Sequence, residues 1–450
     1  MRRSRNRSRA VIGIVAAGLI TAWPGAARAQ QTPSDSLRQQ VEALLRRVEE
    51  LELKLAEQEA LLAAQAEQAM RAEEAQGQAA YAYAGAESDQ RLRRTSGIYS
   101  RPFVARFGQG TAVGGYVDLE FEAEPEEGEV SFEQKRFIPF LFAEITDRVH
   151  FGAEIEFEEG GEEVGVEFAA MDVALKDWLN VRGGLVLSPL GKFNLIHDSP
   201  VNDLTARPLV DQRVIPTTLS EAGIGLFGTL YPSDLSVLTY EAYLVNGFDQ
   251  GIVFDDDGTL RLRPDLPSGR VGAEEDNNAN KAVVARIAYS PILGLEVGGS
   301  IHTGVYAPGD DAVRDALGLV GDERLTILAL DGIFSRGPFE LLGEFARASM
   351  DVPAALPEVQ QGYYVQGNYH FGRGLVSMFP NSIFTAVVRW DDIDLGTERD
   401  GDVSRRLTFG LNWRPVEQTV FKFDAAGDWE FDAGETEIEP KLFFSLATYF

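Results

Sequence analysis

From Gly114 onward, the chain repeats short runs in which apolar and polar residues alternate. In the clearest run, Phe151, Ala153, Ile155 and Phe157 alternate with glycine and glutamate. A period of two places the two sets of side chains on opposite faces of a β-strand. About ten residues of this kind are enough to cross a bilayer when the strand is tilted. The pattern therefore predicts an all-β protein whose strands have one apolar and one polar face.

The connections between these runs fall into a short class and a long class that alternate along the chain. The short ones are residues 146–148, 176–177, 232–234, 291–294, 335–338 and 415–418. The long ones are residues 122–130, 189–220, 249–280, 307–322, 351–359, 394–403 and 431–439. Short turns at one end and long loops at the other are typical of an outer-membrane β-barrel. The count predicts about sixteen antiparallel strands, which enclose a water-filled lumen. The connection at residues 372–382 is longer than its class predicts.

Residues 441–450 form an apolar run that ends on Phe450 after a turn-like stretch, as the last strand of such a barrel does. Mean hydropathy is only −0.13, so hydropathy alone would not indicate a membrane protein. A soluble all-β protein with an apolar last strand is the alternative.

The first residues are typical of an export signal. Five arginines between Arg2 and Arg9 precede a short apolar stretch, and Ala27 and Ala29 fit the small-residue cleavage rule, so we expect residues 1–29 to be a signal peptide. These residues carry six of the 41 basic residues and no acid, which leaves 35 basic and 70 acidic residues, a net charge of −35. Such a charge argues against nucleic-acid binding, because the phosphate backbone is also negative.

A heptad pattern follows the leader. One core position is occupied by Val41, Val48, Leu55 and Leu62, and the other by Leu37, Leu44, Leu51 and the polar Gln58. Residues 30–75 are therefore predicted to form a periplasmic α-helical coiled coil, followed by a linker at residues 76–112 and the barrel at residues 113–450. No second heptad segment exists for pairing within the chain, so the pattern implies an oligomer. A lone amphipathic helix beneath the barrel is the alternative.

The connection at residues 189–220 is the predicted site, because it is long and too apolar to lie in solvent. We expect it to fold into the barrel and narrow the channel. Its cations are Lys192, Arg207 and Arg213, and its anions are Asp198, Asp203 and Asp211. A loop that packs over a subunit interface is the alternative.

Strand parity predicts which charges line the lumen. The early strands are expected to point inward the acids Asp118, Glu120, Glu122, Glu154, Glu156, Glu158 and Glu167. The late strands are expected to point inward Arg389, Arg406, Lys422 and Lys441, with Arg182 and Arg286 as additions. Opposite walls of one pore would then carry opposite charge, which orients dipolar solutes. In the alternative, acids and arginines pair across strands and have no effect on solutes.

Three segments resemble the phosphate-selective porin O and P family: LSPLGKFN at residues 187–194, RPLV at 207–210 and IPTTLSEAGIG at 215–225. The resemblance extends from about Phe132 to Phe450, and the preceding coiled coil is similar to that of dicarboxylate-channel porins. It implies a homotrimer of sixteen-stranded channels, each with an inward-folded third loop. Phosphate-specific members carry a lysine cluster at the constriction, whereas Lys192 is the only lysine in this loop, so phosphate selectivity does not follow.

Signatures of catalysis or metal binding are poor. The four histidines form neither an HExxH motif nor a pair at metal-ligand spacing, and we expect no enzyme activity, no metal and no cofactor. The residues predict an outer-membrane porin that passes small hydrophilic solutes. The resemblance implies that it is a trimer and favours anions such as phosphate or carboxylates, and with the cations of the loop it leads us to expect a mild preference for anions. A barrel that anchors a periplasmic coiled coil toward the cell wall is the alternative.

Overall fold

The structure, a computed structural model, describes Arg47 and residues 105–106, 111–124, 129–248, 252–254, 260–262, 280–306, 322–352, 358–397, 403–432 and 435–450. The chain divides into two compact units, Met1–Glu73 and Glu74–Phe450. Apart from Arg47, the predicted signal peptide and coiled coil lie outside the described residues, as does most of the linker. None of the helices described is long and apolar enough to cross a membrane.

Sixteen antiparallel strands form one closed barrel in the second unit, which confirms the predicted all-β antiparallel barrel. Each strand pairs with the next along the chain, β7 pairs with β8 across a long connection, and β16 returns to β1 with Tyr449 opposite Tyr116. Closure pairs both edges of each of these sixteen strands. The strands are β1 Thr111–Glu124, β2 Glu129–Thr146, β3 Val149–Glu158, β4 Glu163–Lys176, β5 Leu179–Leu187, β6 Ser220–Ser233, β7 Ser236–Val245, β8 Ala282–Ile292, β9 Leu295–Val305, β10 Arg324–Arg336, β11 Phe339–Met350, β12 Val359–Phe371, β13 Ile383–Asp394, β14 Val403–Val416, β15 Thr419–Asp432 and β16 Glu435–Tyr449.

Short strands lie outside this count. Ala105–Arg106 pairs with β1, and Ile252–Phe254 pairs with Leu260–Leu262 within the connection from β7 to β8. Neither pairing interrupts the barrel.

The two ends of the barrel differ as the sequence predicts. At one end, here called the turn end, six connections have only two residues and residues 372–382 form a longer one. The long connections lie at the opposite, loop end. Two predicted long loops were wrong: most of residues 431–439 is strand, with Asp432 opposite Glu435, and most of residues 122–130 is strand, with Glu124 opposite Glu129. The acidic residues and the glycine at positions 431–439 resemble a loop sequence, although β15 and β16 stay paired up to Asp432 and Glu435.

The outer face of the barrel is apolar around its circumference. Alternation along each strand puts large aliphatic and aromatic side chains outside, where a hydrocarbon surround would cover them. Examples that are at least 38% exposed are Leu226, Leu244, Ile287, Leu330, Leu341, Phe345, Phe409, Phe423 and Leu442.

The inner face is polar in places and apolar in others, so the expectation of a polar interior was only partly right. Ile327 and Ala329 of β10 and Ala346 and Ala348 of β11 are buried in one apolar cluster inside the barrel. The alternating runs considered in the sequence did not include these strands. Apolar residues can face the lumen here because a connection from the other side of the barrel covers them.

Candidate pore constriction

The connection between Leu187 of β5 and Ser220 of β6, here called the constriction loop, lies inside the barrel. It contains a 3-10 turn at Phe193–Leu195 and a short helix at Leu209–Arg213. Its two ends are joined by Asn194, whose amide nitrogen donates to the carbonyl oxygens of Ser188 at 2.8 Å and Leu219 at 3.1 Å. The amide oxygen of Asn194 accepts from the backbone nitrogen of Leu219 at 2.8 Å. One buried side chain therefore closes the base of the loop.

Apolar residues of the loop pack against the apolar part of the barrel wall. The side chains of Leu209, Val210, Val214 and Ile215 are almost fully buried, and the short helix contacts β11, β12 and β13. This packing explains the apolar composition that set the loop apart in the sequence. It removes several large side chains from water, which favours the folded-in position.

Polar groups of β9 and β11 bind the first part of the loop. The backbone nitrogens of Lys192 and Phe193 donate to one carboxylate oxygen of Glu344 at 2.8 and 3.1 Å. The backbone nitrogen of Gly191 donates to the hydroxyl of Ser300 at 2.8 Å. The ammonium of Lys192 lies 2.6 Å from the carboxylate of Glu296, so this cation forms an ion pair at the wall.

Asp203 in the middle of the loop is held by three side chains of the wall. Its carboxylate accepts from Asn368 at 2.8 Å and from Arg414 at 3.2 Å, and its carbonyl oxygen accepts from Asn412 at 2.7 Å. Arg414 also donates to the carbonyl oxygen of Pro200 at 2.7 Å. The predicted site residue Asp203 therefore points to the wall and helps to fix the loop.

Predicted lumen cations of β13 and β15 also bind the loop backbone. Arg389 donates to the carbonyl oxygens of Ala206 at 2.9 Å and Arg207 at 3.2 Å, and it pairs with Asp391 at 2.9 Å. Lys422, whose side chain is also buried, lies 3.4 Å from the carbonyl oxygen of Leu204. Both cations lie on the inner face of the barrel, as strand parity predicts. They bind the loop backbone, however, and their side chains are buried away from water.

Other charges predicted to line the lumen pair across neighbouring strands. Arg406 of β14 forms two 2.6 Å hydrogen bonds with Asp428 of β15. Arg182 binds Asp172, with its nearest contact at 2.7 Å. These pairs match the alternative in which cross-strand partners neutralise the charges of the wall.

Arg207 and Arg213 carry the remaining positive charge of the loop, and both are half-buried. Arg207 donates to the carbonyl oxygen of Thr217 at 3.1 Å. Burial lowers the pKa of Arg207, and Arg136 lowers it further, while Glu158 and Glu156 act in the opposite direction. Arg207 is thus within electrostatic reach of the wall formed by β2 and β3.

Asp211 is the buried acid of the loop helix. Burial raises the pKa of its carboxyl group well above the ordinary value, and the nearby Glu344 raises it further. The predicted site residue Asp211 is therefore part of the contact between loop and wall, and its side chain is not exposed to a solute.

Arg136 of β2 is the functional candidate that the sequence reasoning missed. Its guanidinium lies 3.0 Å from Glu158, 3.4 Å from Glu120 and 3.9 Å from Asp118, so one cation stands among three acids that parity had predicted to face inward. The apolar residues that follow Arg136 occupy both faces of β2 and hide its alternation. Within the described residues, no group of three or more His, Asp or Glu side chains could hold a metal ion.

Comparison with known proteins agrees with the barrel fold. An anion-selective porin from Comamonas acidovorans superposes with a TM-score of 0.50 at 11% identity, over 76% of this chain and 99% of that one. OmpF of Salmonella typhi, in a complex with daunomycin, gives a TM-score of 0.50 at 12% identity, over 77% of this chain and all of that one. At such low identity, the likeness concerns the fold alone.

One protein of Aquifex aeolicus, described as uncharacterized, is 26% identical over 337 residues, which are 70% of this chain and 75% of that protein. No protein-family model matches the chain. Membership of the phosphate-selective porin O and P family therefore stays a prediction from the three segments that resemble it.

Proposed function

We propose that the chain is an outer-membrane porin, a channel for passive diffusion of small hydrophilic solutes, with anions such as phosphate or carboxylates among them. The observation that carries the proposal is a closed sixteen-strand barrel with an apolar outer face and one long connection bound to its inner wall. A barrel of this width is too wide for its wall side chains to fill. The constriction loop then sets the size of the path.

The charges at the loop divide into two groups in this proposal. Asp203, Arg389 and Lys422 hold the loop against the wall, Asp211 is buried in the loop helix, and Arg406 is neutralised on β14. Arg207 and Arg213 act on solutes, with a smaller part for Lys192, which is 18% exposed beside Glu296. The positive charges of these residues stand opposite the negative charges around Arg136. The electric field therefore runs across the channel, and the channel discriminates only weakly between anions and cations.

We also propose that the mature chain begins after residue 29, that it forms a homotrimer, and that residues 30–75 form a periplasmic coiled coil that adds to trimer contact. Removal of residues 30–80 should lower the heat resistance of the trimer in gels without abolishing it. An unchanged melting profile would reduce the helix to a spacer between barrel and cell wall.

A structural anchor is the second candidate, and one observation favours it. The interior between the loop and β8–β13 is packed with buried apolar side chains, which narrows the space left for water. In that case the barrel would carry the periplasmic segment toward the cell wall without conducting.

Single-channel recording in planar bilayers separates the two candidates. The purified full chain should give stepwise openings whose conductance rises with salt concentration. A protein that is shown to be folded and inserted, yet gives no openings, would refute the porin and favour the anchor.

A further inference from the structure

The connection from β12 to β13 at residues 372–382 departs from the two-residue turns around it and is well organised. The backbone nitrogen of Leu375 donates to the carbonyl oxygen of Gly372 at 3.0 Å, and that of Phe379 donates to Val376 at 2.9 Å. Gly374 donates to the carbonyl oxygen of Ser382 at 3.2 Å and has a φ of 74°, which favours glycine. The segment is therefore an ordered turn whose backbone hydrogen bonds fix the directions of its side chains.

This turn presents large apolar side chains outward. Met378 is 81% exposed and Leu375 is 71% exposed, the highest values among the exposed large apolar residues of the described chain. Arg373, on the same turn, is also exposed. The two-residue turns at the same end expose at most one large apolar side chain each, such as Leu235 at 59% and Leu293 at 48%, or none, as at Asp147 and Arg148.

The turn continues a belt of aromatic rings on the outer wall of the barrel. The ring of Phe379 stands edge-on to that of Trp413, with centroids 5.6 Å apart. Trp413 in turn stacks on Phe384 at 6.4 Å, and Phe384 on Phe371 at 5.8 Å. The belt extends to Tyr369, Phe339 and Phe421. Such girdles lie where the hydrocarbon of a bilayer meets its headgroups.

We propose that residues 372–382 form a lipid anchor that enters the phospholipid leaflet at the turn end of the barrel. Leu375 and Met378 insert among the acyl chains, and the guanidinium of Arg373 lies at the level of the phosphates, which it can bind in a bidentate manner. Continuity with the aromatic belt points to lipid as the occupant, since Phe379 holds the turn against a surface that lipid covers. The inference rests on the proposed function, because it requires the barrel to span a membrane.

Depth-dependent quenching tests this anchor, and the chain suits the experiment because it contains no cysteine. Met378→Cys carries an NBD dye in the full chain, reconstituted in vesicles with lipids that are spin-labelled near the headgroup. The control is Asp234→Cys in the exposed turn between β6 and β7, at the same end of the barrel. Leu375→Cys is the second variant.

We expect blue-shifted emission at positions 375 and 378, severalfold stronger quenching by the spin-labelled lipid than at position 234, and weaker quenching by aqueous iodide. Iodide quenching equal to that at position 234 would overturn the anchor. A dye that is buried but not quenched by the spin-labelled lipid, and that shows energy transfer between labelled subunits, would also overturn the anchor. That result would assign the turn to a contact between copies of the chain. If the labelled protein still conducts, either of these two results refutes only the anchor and leaves the proposed channel intact. A protein that neither inserts into the membrane nor conducts would refute the channel itself.

Discussion

The guanidinium of Arg389, on β13, donates a 2.9 Å hydrogen bond to the carbonyl oxygen of Ala206 on the constriction loop. The same guanidinium pairs with Asp391, whose other carboxylate oxygen accepts from the backbone nitrogen of Leu209. An arginine that would attract anions if it faced water instead fixes the position of the loop. The charge of a lumen residue and its effect on solutes are therefore separate matters in this barrel.

Arg389→Ala should loosen the loop between Asp203 and Leu209. It removes two hydrogen bonds to loop carbonyls and leaves the carboxylate of Asp391 buried without its cation, at a cost of roughly 3–5 kcal/mol. We expect a lower melting temperature in detergent and noisier single-channel openings of larger mean conductance.

Arg405→Ala is the matched control for Arg389→Ala. Arg405 pairs with Asp392 at 2.7 Å, but both side chains are partly exposed, so this pair should contribute about 0–1 kcal/mol. Equal effects of the two substitutions on melting and channel noise would contradict the clamp assigned to Arg389.

Asn194→Ala should destabilise the base of the constriction loop by roughly 2–4 kcal/mol. Three buried hydrogen bonds are lost, and the backbone nitrogen of Leu219 is left without its acceptor. Protection of loop amides in hydrogen exchange measures the effect. Asn202→Ala, which removes one hydrogen bond to His197 at 2.8 Å, is the control and should leave protection at the base almost unchanged.

The alternation of side chains explains why the barrel could be predicted from sequence and most of its constriction could not. Parity depends only on neighbouring residues, and the inward direction of Arg389 and Lys422 followed from it; the strand count and the turn end followed from the lengths of the connections. Whether an inward cation meets water or a carbonyl oxygen depends on a loop from the far side of the barrel. The Arg389–Ala206 bond joins positions 183 residues apart.

Strand β2 shows a second limit of the sequence. Ile138 and Phe140 are buried inside the barrel beside Tyr116 and Tyr449, while Phe137 and Leu141 are outside. Both faces are apolar, and a bulge near Lys135 shifts the register. Without a polar face to mark the lumen, Arg136 could not be assigned to it, although the structure places it among three acids.

Asp211→Asn should remove a pH dependence from the packing of the constriction loop. Because the folded-state pKa of Asp211 is raised by burial and by Glu344, its neutral form stabilises the folded loop. That stabilisation is complete below the ordinary pKa of an aspartate and is lost as pH rises through the raised value. The wild-type melting temperature should therefore fall toward alkaline pH more steeply than that of Asp211→Asn.

Asp234→Asn makes the same chemical change in an exposed turn and is the control for Asp211→Asn. It should keep the wild-type dependence of melting temperature on pH. Parallel pH profiles for all three proteins would exclude Asp211 as the titrating group.

Arg207→Ala combined with Arg213→Ala should shift the reversal potential in a KCl gradient toward cation preference. In the proposed channel these two cations act against the acids around Arg136, with Arg207 within electrostatic reach of Glu158, and field lines are focused where the path is narrowest. A unit charge about 4 Å from an ion is worth roughly 1 kcal/mol in water, or about a fivefold change in relative permeability before screening by salt. Glu158→Gln should shift the potential in the opposite direction, and Arg148→Ala, in an exposed turn, should not move it. A channel whose reversal potential is the same in all four proteins would show that ions pass elsewhere in the barrel, away from Arg207.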